Sequence, residues 1–194
     1  MNGQFWWFLA RSTGITALVM VSASVLWGLF LSSRILQSRR RPAWLLDLHR
    51  WLGGLSVLTV GVHIVAIAAD SYVQFSPAAL LVPGVATWHP VAVAWGIVAF
   101  WLLAAVQITS LMMRRLPRKW WHRIHLTSYA VFWAAAIHGA VAGSDSGLPG
   151  YRIVAVSLIL IVSFATVYRA ITSKSANGGR RPGRVRGISE GQAA

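Results

Sequence analysis

The stretch Leu48-His49-Arg50-Trp51-Leu52-Gly53-Gly54-Leu55-Ser56-Val57-Leu58-Thr59-Val60-Gly61-Val62-His63-Ile64 decides how the chain is read. Two histidines stand fourteen positions apart in a segment that is otherwise almost wholly apolar. At about 1.5 Å per residue such a segment has the length of a helix crossing a bilayer. A second apolar segment, bounded by His125 and His138, repeats the arrangement.

The rest of the composition agrees. Of 194 residues, 56% are hydrophobic and only 11% charged, against roughly a quarter charged in an ordinary soluble domain. The formal charge of +14 would suggest nucleic acid in a soluble protein. Here the basic residues fall between the apolar runs and in the tail, as positive-inside topology requires, so no nucleic-acid partner is expected. Cysteine is absent, which excludes disulfides, iron–sulfur ligation and thiol chemistry. Asp47, Asp70, Asp145 and Glu190 are the only acids, too few for paired-acid hydrolysis or a carboxylate cage around a metal.

Taken in order, the chain gives five spans: Phe5 to Leu31, about Trp44 to Ala69, about Val91 to Met113, Trp120 to Ala142, and about Tyr151 to Ala170. The first opens with the aromatic girdle Phe5-Trp6-Trp7-Phe8 and has no basic region before it, so it reads as a membrane helix and not a signal peptide. The connections alternate. Arg34, Arg39, Arg40 and Arg41 make the first basic, and Arg114, Arg115, Arg118 and Lys119 the third. The segments Asp70 to Pro90 and Gly143 to Gly150 contain no Lys or Arg. Ala78 to Val82 reads as a short interfacial piece. The expected fold is an all-α, five-helix membrane bundle in the cell membrane, with the amino terminus outside and the carboxyl terminus cytoplasmic. Residues 1–172 form the membrane domain, and 173–194 a disordered basic tail that fixes topology or touches anionic lipid.

Four of the six histidines, His49, His63, His125 and His138, lie in two of the five spans. One histidine in a membrane helix is ordinarily a packing residue, but ionisable groups at membrane depth are expensive. Two helices carrying two each, at matched depths, suggest a shared ligand. Neutral imidazoles supply axial pairs to haem iron, and the expected pairs are His49 with His125 and His63 with His138. Fourteen residues turn about 1400°, some 40° short of four turns, so His49 and His63 share a face. Thirteen residues fall about 140° short, so the span with His125 and His138 must bend or rewind. Gly53, Gly54, Gly61, Gly139 and Gly143 suit either close approach of a flat macrocycle or plain helix packing. His122, in Lys119-Trp120-Trp121-His122-Arg123, is read with Arg123 as a headgroup-level or propionate contact, and His89 as an ordinary interfacial residue. Arg11, at a depth similar to that of His63, either pairs a propionate or snorkels outward.

At these positions the sequence resembles the ferric reductase-like transmembrane domain family. That family includes the membrane parts of ferric reductases and NADPH oxidases and the haem-binding subunit of bacterial methionine sulfoxide reductase systems. The resemblance rests on thirteen residues between His49 and His63, twelve between His125 and His138, and a basic loop before each helix, over roughly residues 5 to 170. It implies two non-covalent b-type haems carrying electrons across the membrane. Two departures stand out: no Gly-rich dinucleotide fingerprint follows a strand, so no flavin or NAD(P)H site is expected, and the helix count is one below the six common in the family.

The resulting expectation is a di-haem cytochrome b, ligated through His49, His63, His125 and His138. A separate protein or a quinol would be the donor, and a ferric chelate, oxygen or redox protein the outer acceptor. One alternative is a ferric or other metal reductase catalytic at the outer face. The other is a non-redox membrane protein whose histidines bind a metal ion or pack helices.

Overall fold

The computed structural model describes residues 3–32, 42–71, 73–143 and 145–178, the last six without side-chain detail. Among them every regular element is helical: α1 (Gly3–Ser32), α2 (Ala43–Ala69), α3 (Pro77–Leu81), α4 (Pro90–Leu111), α5 (Arg118–Leu126), α6 (Ser128–Ala142) and α7 (Pro149–Gly178). Five spans are long and apolar enough to cross a membrane, with α5 and α6 together making the fourth. The chain is thus a multi-pass membrane helix bundle. The loop cations from Arg34 to Arg41 lie outside the described residues, as do residues 179–194 of the expected tail. The last helix runs on to Gly178, past the boundary at Ser173 set by composition.

Local chemistry explains several helix ends. Pro77 and Pro90 occupy first-turn positions of α3 and α4, where a missing N–H costs nothing. Ser76 caps α3 by accepting from Ala79 N at 3.2 Å. Before Pro90, His89 takes a left-handed backbone, φ 41° and ψ 59°, and its ring meets Trp88 edge-on at 4.4 Å. The short helix is tied to α4 by Trp101 Nε1, which donates to Leu81 O at 2.9 Å.

The long seams run between α1 and α2 and between α4 and α6, with α1 against α6 and α2 against α4 closing a four-helix arrangement. In it α2 and α6 stand diagonally opposite, with no such seam between them. This placement leaves the middle of the bundle to their side chains. On one flank α1, α6 and α7 share the apolar core, built from Leu18, Val21, Val25, Phe132, Ala136 and Val162 among others. Arg169 Nε also reaches Ser32 Oγ at 3.0 Å, fastening α7 to the end of α1. Association in lipid depends on close packing, since lipid is as apolar as the side chains. Phe132, with no exposed surface, is central to it. Replacing Phe132 by Ala is expected to cost roughly 3–5 kcal/mol and to lower the thermal unfolding midpoint of the detergent-purified protein. An unchanged midpoint would show that this core does not hold the bundle.

Candidate functional site

The two histidine-bearing helices place their imidazoles in the diagonal gap. His49 and His125 meet with ring centroids 5.9 Å apart and planes at 75°. His63 and His138 meet at 6.3 Å and 77°. The first pair lies toward the basic α4–α5 connection, the second toward the opposite end. The structure therefore brings together the four histidines singled out by sequence, in the expected pairing.

The thirteen-residue interval is accommodated at Thr127, where α5 ends and α6 begins. Thr127 N bonds Ile124 O at 3.0 Å, a three-residue step, and its hydroxyl bonds the same carbonyl at 2.7 Å. Such a tightened turn adds rotation, about 20° per residue beyond the α-helical value. Over the three residues of such a turn that is roughly 60°, part of the ~140° shortfall, so the interruption rotates His125 and His138 toward a common side.

Each imidazole of the second pair is anchored by the helix preceding its own in the seam. The Nδ1 of His63 lies 2.7 Å from Ala10 O on α1, and that of His138 lies 2.8 Å from Ala92 O on α4. With Nδ1–H donating to a carbonyl, Nε2 is left as the free lone pair, the tautomer a metal-ligating histidine needs. One turn beyond each carbonyl stands a glycine. A methyl carbon added at Gly14 would lie 3.0 Å from His63 Cε1, and one at Gly96 would lie 2.8 Å from both Nδ1 and Cε1 of His138.

The basic-end pair follows the pattern in part. A methyl carbon at Gly28 would be 3.2 Å from His49 Cε1, again one turn past a residue, Ser24, whose backbone stands beside the imidazole. That Nδ1 nevertheless makes no hydrogen bond of standard geometry. His125 has the Ser110 hydroxyl at 3.5 Å and stacks on Trp121 at 5.1 Å and 23°. Gly14 and Gly28 are fourteen residues apart, matching His63 and His49 in antiparallel register. Gly96 and Ser110 are also fourteen apart, opposite histidines thirteen apart, and the break at Thr127 takes up part of the difference.

These seats were not among the residues singled out by sequence. Of the glycines that were, Gly54 and Gly61 have nothing within 4 Å of an added methyl carbon, and Gly139 is covered by the Tyr151 hydroxyl at 2.7 Å. The usable signal was the Ala-x-x-x-Gly step repeated at Ala10–Gly14 and Ala92–Gly96. It gains meaning only once the packed pairs are known.

The remaining candidates are placed as follows. Arg11 Nε donates to Asp145 Oδ2 at 2.8 Å, its Nη2 pairs with Asp145 Oδ1, and its guanidinium carbon lies 4.0 Å over the Trp7 ring. His122 and Arg123 are exposed on α5, and Arg123 lies 5.6 Å over Trp120. A cavity of about 400 Å³, lined by His63, His138, Gly14, Gly96, Arg11 and Asp145 among others, opens beside the non-basic pair. That volume falls in the range of cofactor pockets.

Among the described residues no three His, Cys, Asp or Glu side chains gather, so each site offers two imidazoles only. A structural zinc ion needs four ligands. Two facing imidazoles instead suit an iron that brings its other four donors with it, as haem does. With bonds of about 2 Å on each side, and centroids roughly 1 Å behind the ligating nitrogens, such an iron holds the rings about 6 Å apart. Both observed separations agree.

The model of the ferric reductase like transmembrane component family matches residues 13–136. The chain belongs to this family. The match takes in His49, His63 and His125 and ends two residues before His138. No curated protein and no solved structure matches the chain. Ferric reductase-like domains generally bind haem, and membership points to a redox role in a membrane. In this member the seats predict a selective lesion. Gly96→Val is expected to displace His138 and lower the haem pigment of the purified protein, whereas Gly54→Val, facing open space, should leave pigment content unchanged. Equal pigment in both variants would contradict the role given to Gly96.

Proposed function

We propose that the protein is a di-haem b-type cytochrome of the cell membrane, relaying electrons from a donor at its basic, cytoplasmic face to an acceptor outside. The observation that carries this reading is the pair of facing imidazole couples, separated along α2 by fourteen residues. Two bound haems would supply the one-electron chemistry, with the protein setting ligation, spacing and dielectric.

In this reading His49 with His125 and His63 with His138 would hold the two haem irons. The carbonyls of Ala10 and Ala92 hold the second couple in a single tautomer and fix ring orientation, each contributing about 1 kcal/mol net. The α1 and α4 glycines let the seams close tightly enough to exclude water. Arg11, held by Asp145 on the cavity wall, is the cation placed to meet an acidic edge of the outer group. Arg123 and His122 stand at the headgroup level of the inner one. The donor is a separate protein or a quinol, and the acceptor a ferric chelate, oxygen or a redox protein. A second reading is favoured by the cavity beside His63 and His138, whose wall includes Asp70 and Asp145. There the protein itself would reduce a metal chelate at the outer face.

The test is a reduced-minus-oxidised visible spectrum of protein purified from a haem-sufficient host. Wild type should show b-type bands. His63→Ala or His138→Ala should each retain about half the pigment, as should His49→Ala or His125→Ala, with the two classes losing different spectral components. Absence of b-type bands in wild type would sink both readings, and equal, complete loss in all four variants would contradict two separable sites.

A further inference from the structure

At the basic end the chain buries two polar atoms without a hydrogen-bond partner, Nε1 of Trp121 and Nδ1 of His49. The second has the backbone of Ser24 beside it. The first has no acceptor among the described residues. A buried indole N–H left unpaired costs about 1–3 kcal/mol, so its acceptor is expected to come from what the site binds.

The two neighbouring tryptophans of α5 show the contrast. Trp120 is 58% exposed and carries Arg123 over its ring, the ordinary posture of an interfacial tryptophan whose N–H finds water or lipid. Trp121 is turned inward. Its ring stacks on His125, one helical turn further along α5, at 5.1 Å and 23°, and its N–H is screened from solvent and lipid alike. It touches the one histidine of the four that has neither a backbone carbonyl partner nor a glycine seat. Among the described residues its polar neighbour is the Ser110 hydroxyl, at 3.5 Å from Nδ1.

We propose that Trp121 is part of the basic-end binding site. Its ring positions His125, and its indole N–H donates to an acidic oxygen of the bound group, a carboxylate on the haem's edge. The inference rests on the haem reading above. A lipid phosphate reaching in from the headgroups offers similar chemistry and is the other source the test must separate.

The experiment uses the His138→Ala protein, in which only the basic-end haem is expected to remain, alone and combined with Trp121→Phe or Trp121→Leu. Phenylalanine keeps a flat ring and removes the donor, and leucine removes both. Haem transfer to apomyoglobin and a potentiometric titration are recorded for each. A lost hydrogen bond to a charged group predicts haem release about ten- to a hundredfold faster in Trp121→Phe. It also predicts a lower midpoint potential, because the carboxylate charge left uncompensated favours ferric iron. Trp121→Leu should release haem faster still. Replacing the native haem by its dimethyl ester should abolish the difference between tryptophan and phenylalanine. The inference is overturned if Trp121→Phe matches tryptophan in both readouts, or if the difference persists with the ester, which would assign the N–H to lipid. If the parent protein holds no haem, it is the functional reading that fails.

Discussion

The arrangement depends on how an imidazole is held at membrane depth. In hydrocarbon a histidine has no water to satisfy it, so both ring nitrogens must find partners inside the bundle. At His63 and His138 one nitrogen goes to a helix carbonyl, of Ala10 and of Ala92. A carbonyl already bonded within its helix can accept a second hydrogen bond only if the donor comes in close from the side. That approach is possible because Gly14 and Gly96, one turn along, have no side chain to block it. The seams between α1 and α2 and between α4 and α6 are thereby locked in register, and the free nitrogens are aimed at the middle of the bundle.

From that constraint follows a division of labour among the helices. The histidines sit on the diagonal pair, α2 and α5–α6, and the seats on the other pair, α1 and α4. Each seat helix comes before its histidine helix in the chain, so the domain consists of two helix pairs of the same plan brought face to face. The two ends are not equivalent. At one, both imidazoles are bonded to carbonyls beside a cavity walled by the Arg11–Asp145 pair. At the other, an aromatic ring and a hydroxyl replace carbonyl and glycine around His125. Two iron centres in such different surroundings would differ in potential.

Much of this was legible in the sequence. The spans follow from apolar runs and loop charge, and the structure places them within a few residues of where hydropathy does. The histidine pairing was legible from depth, and the need for a bend or rewinding from the ~140° deficit of a thirteen-residue interval, though not its place at Thr127. The seats of Ala10, Gly14, Ala92 and Gly96 were not, because a small residue in a membrane helix signals only close packing until its partner helix is known. Nor was the pairing of Arg11 with Asp145, which joins positions 134 apart through a loop whose path no local pattern fixes. The inward turn of Trp121 was hidden for a related reason. Trp120 and Trp121 are adjacent and identical, and only the rotation of α5 decides which one faces lipid and which faces His125.

Whether each imidazole couple holds an iron, as proposed, is tested by anomalous scattering at the iron edge from crystals of the purified, pigmented protein. Two iron peaks are expected, one between His49 and His125 and one between His63 and His138. Fourteen helical residues should separate them by about 20 Å along α2. A single peak, or iron away from these histidines, would contradict the proposal.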